Sequence, residues 1–118
     1  MKSYTNLEQS QKLAEILPIE SADMWWNWFS DPFDEVNGGE YTTEPLLHKP
    51  VCYPEKVIPC WSLAALLGVV SEVSLNSFKG GNWNAMVQQN GKIIYSDAGN
   101  PIDACYEMIL KLHEEKII

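Results

Sequence analysis

The sequence predicts an α+β fold, in which a small antiparallel β-sheet packs with an N-terminal helix, a C-terminal helix and a short middle helix. Helical patterns with capping residues stand at both ends of the chain and near its middle. Between the last two of them lie three short strand patterns separated by turn signals. The chain has 118 residues, 46% of them hydrophobic, which is enough to bury one core without disulfides or metals. We therefore expect a single α+β domain over residues 1–118.

The first helix is predicted over Thr5–Leu17. Thr5 and Glu8 have the T-x-x-E spacing of a capping box, in which each side chain bonds the backbone N–H of the other residue. One apolar stripe follows, and Pro18 cannot continue a helix. The pattern therefore predicts an amphipathic helix that ends before Pro18.

A strand is predicted over Ala22–Phe29, a segment that includes the aromatic cluster MWWNWF. Aromatic residues favour strands, although the residues that open this segment also permit a short helix. Strand side chains alternate between two faces, so Trp26 and Trp28 would share one face and Trp25 would take the other. We expect one face to join the core and Trp25 to stay partly exposed.

The segment Ser30–Pro59 is predicted to be irregular, with an extra short strand near Glu40–Leu47 as an open alternative. Proline lacks a backbone N–H, so it ends helices and interrupts central strands. Loops of this length in a compact domain are often functional or pack through their own side chains. The interrupting residues are Pro32, Gly38, Gly39, Pro45, Pro50, Pro54 and Pro59.

The short middle helix is predicted to begin after Ser62, a favourable N-cap residue. Leu63, Leu66, Leu67 and Val70 then fall at i, i+3, i+4 and i+7, which is the spacing of one helical face.

A three-stranded meander is predicted next, over Val73–Phe78, Trp83–Gln89 and Lys92–Ser96. A turn at residues 79–82 separates the first two strands. Asn90-Gly91 separates the last two, and this dipeptide tolerates positive φ at both turn positions.

The final helix has the clearest signals in the chain. Asn100 can cap it, Pro101 suits its first position, and Asp103 complements the positive end of the helix dipole. Its predicted buried face comprises Ile102, Cys105, Met108, Ile109 and Leu112.

The charge of the chain is strongly negative. Sixteen acids stand against eight lysines, the formal net charge is −8, and no arginine is present. Nucleic-acid binders gain affinity from clustered cations that neutralise phosphates, and here the lysines are scattered. We expect no direct binding of nucleic acid and no membrane association. An open alternative is a nucleic-acid mimic, an acidic surface that occupies a basic groove on a host protein.

The polar start of the chain lacks the apolar core of a signal peptide, and its longest apolar run, Leu63–Val70, is too short to span a bilayer. Three cysteines are an odd number, and none forms a C-x-x-C pair. These features predict a cytoplasmic protein with unpaired thiols.

A calcium site is the nearest approach to a metal motif. Asn37-Gly38 and Glu44 match the last half of an EF-hand loop, and Glu35 falls at its third position. Phe33 stands at the first position, where it cannot bind a cation. Zinc is no better supported, because His48, Cys52, Cys60, Cys105 and His113 show no paired short spacing. We expect neither a metal nor a cofactor.

Cys60 is the candidate reactive thiol, since it lies just before the middle helix, whose dipole could stabilise a thiolate. A nucleophile also needs a base. His48 lies upstream and His113 lies on the last helix, whereas papain-like enzymes place their histidine on a downstream strand. We assign no catalytic residue. A hydrolase-type or metal-dependent enzyme that uses Cys60 or the acidic loop is the alternative to a binding protein.

A binding surface is the remaining candidate. Eight carboxylates and no lysine or arginine lie between Leu13 and His48, around the tryptophan cluster. Tryptophan combines a large contact area with a polar handle, so exposed rings beside carboxylates could contact a partner. The candidate residues are Trp25, Asp31, Asp34, Glu35 and Glu40.

Three segments, LPIESADM (Leu17–Met24), IPCWSLAALLGVV (Ile58–Val70) and NPIDACYEMILKLHEEKII (Asn100–Ile118), resemble a family of small uncharacterised proteins encoded by phages and mobile elements of gut bacteria. The resemblance covers about the whole chain in order, except that the middle region departs most. It implies a mobile-element accessory protein of unknown role, with no catalytic residues to transfer. Together with the charge, it predicts a non-enzymatic binding protein whose partner is another protein; the oligomeric state stays open.

Overall fold

The computed structural model describes residues 2–30, 39–42, 44–47, 57–70, 72–89 and 91–118, with the backbone alone for 28–30 and 39–40. The chain divides into two compact units. The N-terminal unit is Asn6–Trp61, and the C-terminal unit combines Met1–Thr5 with Ser62–Ile118. Three α-helices and small antiparallel sheets occur in the described ranges, which confirms the α+β class. A single domain over residues 1–118 stays a prediction.

Helix α1 of the N-terminal unit is Leu7–Ala14. Its cap is Asn6, whose side chain accepts from the Gln9 backbone N–H at 2.8 Å, while the Gln9 side chain accepts from the Asn6 N–H at 3.0 Å. The predicted capping box at Thr5 and Glu8 is therefore wrong by one residue, because Asn caps as well as Thr and Gln9 can replace the glutamate. A turn follows the helix and ends in a backbone bond from Leu17 to Leu13.

The predicted aromatic strand is confirmed as two short strands, β1 (Met24–Trp26) and β2 (Trp28–Ser30). They pair antiparallel with different segments, β2 with β3 (Gly39–Tyr41) and β1 with β4 (Ile58–Cys60). Strand β3 and a bridge between Trp25 and Leu46 show that the short-strand alternative near residues 40–47 is in part correct.

Strand β4 was not expected, because Pro59 lies at its centre opposite Trp25. Proline is tolerated here because β4 pairs with one strand, β1, in the described part of the chain. The backbone nitrogen of Pro59, which carries no hydrogen, can therefore point away from that strand. Among the described residues of the N-terminal unit, the buried apolar side chains include Leu13, Leu17, Ala22, Trp26, Cys60 and Trp61.

The C-terminal unit begins its regular structure with α2, Leu63–Val69. The Ser62 hydroxyl accepts from the Ala65 N–H at 3.2 Å, so the predicted cap is confirmed. The meander is confirmed as well: β5 (Val73–Ser77), β6 (Trp83–Gln89) and β7 (Lys92–Ala98) form an antiparallel sheet in the order β5-β6-β7.

Helix α3, Pro101–Glu114, lies on β6 and β7 and also contacts α2. The Asn100 side chain accepts from the Asp103 N–H at 2.8 Å, as predicted. All five residues of the predicted apolar face are buried. Because α3 covers one face of the sheet, the side chains of the other face are the ones available to contact a ligand or partner.

Candidate functional site

The strand register divides the C-terminal sheet into two faces. Ala85, Val87 and Ser96 are buried and face α3. Alternation along each strand therefore places their neighbours, among them Met86 and Tyr95, on the opposite face. We call this opposite surface the outer face of the sheet.

One half of the outer face is apolar. Ile93 and Tyr95 on β7 are 58% and 56% exposed, and Met86 on β6 lies directly opposite Tyr95. These three residues form the apolar half. Large apolar side chains this exposed on one strand leave hydrophobic area in contact with water, and such area often marks a contact surface.

One side chain of α3, Lys111, reaches the free edge of β7 next to the apolar half. Lys111 donates from Nζ to the Tyr95 carbonyl at 2.8 Å, and its ammonium lies 5.6 Å from the centre of the Tyr95 ring. Lys92 and Glu115 form an ion pair at 3.1 Å. A lysine at a strand edge opposes pairing with another strand, so a partner that docks here would use side chains rather than extend the sheet.

The other half of the outer face is polar. The Asn84 side chain donates from Nδ2 to Oδ1 of Asp97 at 2.8 Å, across the neighbouring strands β6 and β7. Phe78, just after β5, is 57% exposed. A groove of about 510 Å³ lies between them, and we call it the polar groove. Its lining residues are Phe78, Asn82, Asn84, Asp97, Ala98 and Gly99.

The turn between β5 and β6 positions Phe78. Its N–H donates to the Asn82 carbonyl at 2.8 Å, and its own carbonyl accepts from the Gly81 N–H at 3.3 Å. Gly80 and Gly81 have φ of 95° and 85°, a region that side-chain-bearing residues rarely adopt. The Gly-Gly pair therefore allows the tight turn that brings Phe78 opposite Asn82.

Two tryptophans, Trp26 of the aromatic cluster and the distant Trp61, are used in packing. Trp26 is buried, and its indole N–H donates to the Ser10 hydroxyl on α1 at 3.1 Å. Trp61 is fully buried and donates in the same way to Ser21 at 3.0 Å. Two indoles that each find a hydroxyl acceptor are typical of structural tryptophans.

Trp25 is half-buried, in agreement with its expected partial exposure. Its backbone exchanges two hydrogen bonds with Leu46, at 2.8 and 2.7 Å. Its indole N–H is shielded from solvent and meets no acceptor in the described part of the chain. The ring is therefore held by the strand and presents little of its polar edge to water.

The other candidate contact residues lie outside the described residues or are described by their backbone alone. Asp31, Asp34 and Glu35 lie outside the described residues, as does the greater part of segment 33–44, which matches a calcium loop only in part. Glu40 belongs to β3, but only its backbone is described. The acidic binding surface therefore stays a prediction.

Cys60, the candidate reactive thiol, lies in β4 opposite Met24, two residues before the cap of α2. It is fully buried, so a reagent or substrate has no direct path to its sulfur in this conformation. Cys105 is also fully buried, and burial raises the pKa of its thiol from 9.0 to about 11. His113 is exposed on α3, and His48 and Cys52 lie outside the described residues.

Two features are absent from the described residues. No group of three or more His, Cys, Asp or Glu side chains that could hold a metal ion occurs in the described ranges. Among the same residues, no helix is long and apolar enough to cross a membrane.

Comparison with known proteins adds no assignment, because no family model, curated protein or solved structure matches this chain.

Sequence reasoning missed the outer face. The signal was present in KIIYSDA, residues 92–98, where Ile93, Tyr95 and Asp97 alternate with Ile94 and Ser96. Both sets begin with isoleucine, so the alternation does not say which set α3 covers. The contacts between the sheet and α3 decide it.

Proposed function

We propose that this protein is a small acidic accessory protein that acts without catalysis by binding another protein, and that the apolar half of the outer face is the contact surface. The observation that carries the proposal is the exposure of Ile93 and Tyr95, each more than half accessible on a strand whose alternate side chains pack inward. Interfaces place such aromatic and aliphatic residues at their centres, surrounded by polar groups.

The charge of the chain indicates the kind of partner. With a net charge of −8, the protein attracts surfaces that carry positive charge. Lys92, Lys111, Glu114 and Glu115 border the apolar half on the side of β7 and α3, and they give that border charges of both signs. The partner that fits is a protein with an apolar patch on a surface that is basic overall.

The proposal keeps two expectations from the sequence. It retains the phage or mobile-element origin that the resemblance implies, and it places the protein in the cytoplasm. The nucleic-acid-mimic alternative differs in its salt dependence, because binding through charge alone weakens steeply as salt rises.

The experiment compares wild type with an I93S/Y95S variant. Each protein is immobilised and exposed to host lysate at low and high salt; the partner is then identified, purified and titrated directly. We expect the variant to bind at least about tenfold more weakly, since removal of two central apolar contacts costs on the order of 1 kcal/mol each. Asn76→Ser, on the outer face of β5, is the matched control and should bind like wild type.

Two results would contradict the proposal. One is the absence of any partner at either salt concentration, and the other is a partner that binds the I93S/Y95S variant as tightly as wild type. Binding that disappears at high salt and is unchanged by the I93S/Y95S substitutions would favour the nucleic-acid-mimic alternative instead.

The enzyme alternative has its own test. Because Cys60 is buried, we expect a thiol reagent to modify it in the folded protein only as fast as the chain opens. Rapid and selective labelling of Cys60 under native conditions, located by mass spectrometry, would support the alternative hypothesis of a hydrolase-type enzyme.

A further inference from the structure

We propose that the polar groove binds a neutral sugar ring. This site is separate from the apolar half and does not depend on the proposed protein contact. Its parts are an exposed aromatic face, a hydrogen-bonded amide–carboxylate pair and a further amide, all on the outer face of one sheet.

The register gives the groove its dimensions. Asn84 on the central strand β6 pairs with Asp97 on β7. Asn82, which directly precedes β6, lies opposite Phe78 at the end of β5. Phe78 and Gly99 are thus separated by two strand spacings, or roughly 10 Å. A Cβ at Gly99 would meet nothing within 4 Å, so the β7 side of the groove is open above the backbone. A six-membered sugar ring fits within this width.

The polar groups match vicinal hydroxyls. The bond from Asn84 Nδ2 to Asp97 Oδ1 holds together two side chains that line the groove, and it leaves Asp97 Oδ2 and Asn84 Oδ1 as acceptors for a ligand. The Asn82 amide supplies a donor and another acceptor. A sugar hydroxyl both donates and accepts, so adjacent hydroxyls can bond the pair while the ring is held against Phe78.

Phe78 supplies the flat surface. The face of an aromatic ring carries partial negative charge, which attracts the slightly positive C–H groups on the apolar side of a sugar. The hydrogen bonds of the turn hold the backbone of Phe78. Its side chain is more than half exposed, so the ring is accessible to a ligand.

The same residues disfavour other ligands. No cationic side chain lines the groove, and Asp97 repels anions, so a phosphate or nucleotide is a poor fit. One carboxylate, already bonded to Asn84, is too few ligands for a divalent cation. The balance of one aromatic ring against several polar groups also makes a purely apolar ligand unsuitable.

The test is binding of a panel of neutral mono- and disaccharides to the full chain, measured by saturation-transfer NMR and on a glycan array. Nucleosides and anionic sugars form the comparison set. We expect at least one neutral sugar to bind with a Kd on the order of 1 mM, with transfer strongest to the C–H protons of one ring face.

Variants connect the binding to the groove. Phe78→Leu keeps an apolar side chain but removes the aromatic face, and Asp97→Asn keeps the shape but removes the charge. Each should weaken binding at least about tenfold, while I93S/Y95S should bind the sugar like wild type. Far-UV circular dichroism checks that every variant is folded.

Three outcomes would overturn the assignment: no neutral sugar binds, nucleosides bind in preference, or Phe78→Leu binds as well as wild type. None of them bears on the protein partner, because that test depends on Ile93 and Tyr95 in the other half of the face.

Discussion

Replacing Ser10 by alanine tests whether Trp26, in the aromatic cluster, is part of the packed interior. Ser10 is fully buried on α1, and its hydroxyl accepts the indole N–H of Trp26 at 3.1 Å. The substitution leaves that N–H in a buried position without its acceptor, which costs about 1–3 kcal/mol. Alanine is the better helix former by roughly 0.5 kcal/mol. The expected net loss is therefore about 1–2 kcal/mol.

Thermal and urea unfolding followed by circular dichroism measure the loss. For a chain of this size, we expect the unfolding temperature to fall by roughly 4–8 °C. Trp26→Phe and the double variant complete a thermodynamic cycle, because phenylalanine removes the donor that Ser10 satisfies. The double variant should lose about 1 kcal/mol less than the sum of the two single losses.

The cycle can refute the reasoning in two ways. A change of less than about 1 °C for Ser10→Ala would mean that water replaces the lost hydroxyl, so the indole is not buried as described. Simple additivity would mean that the two side chains do not interact. Either result would contradict the structural role assigned to the hydrogen bond between Trp26 and Ser10.

Three other predictions concern α3 and the cooperativity of the fold. Asn100→Ala removes the side chain that accepts from the Asp103 N–H, so urea unfolding should show a loss of stability of about 1 kcal/mol. Asn100→Ser should retain most of the stability, because serine also caps helices. Equal stability of the two variants would contradict the capping role. The Cys105 thiol has a folded pKa of about 11 against an ordinary 9.0, so the unfolded chain loses its proton first and stability falls as pH rises above 9. The difference in unfolding free energy between wild type and Cys105→Ala should therefore shrink by about 1 kcal/mol between pH 8 and pH 10, and a constant difference would show that this thiol is not desolvated. Finally, four of the five tryptophans lie in the N-terminal unit, so fluorescence reports mainly on it, while circular dichroism also follows α3. Coincident midpoints would establish one cooperative domain over residues 1–118, and separate midpoints would show two.

The elements that could be predicted are those with strong local signals. Asn100 and Pro101 define the start of α3, and the spacing of its apolar residues identifies the buried face. Turn signals separate the three strands of the meander in the same way. These signals depend on residues that are close in sequence, so the local structure that they favour does not depend on distant parts of the chain.

The errors lie where two local solutions compete or where a distant partner decides. Thr5 and Asn6 can both cap a helix, and the choice of Asn6 leaves Thr5 fully buried. Pro59 marks a break by itself, yet it lies in a strand because Trp25, far away in sequence, pairs with it. Neither outcome can be read from the neighbouring residues alone.

The candidate site shows the same division. The sequence determined the α+β class, the caps of α2 and α3, the meander and the apolar face of α3, because each depends on hydrogen bonds and side-chain periodicity within one element or one turn. Only the tertiary structure decided that Trp26 is buried against Ser10, and that Ile93, Tyr95 and Phe78 face water. A strand carries two faces of similar composition, and the one that becomes the surface is whichever its partners leave uncovered.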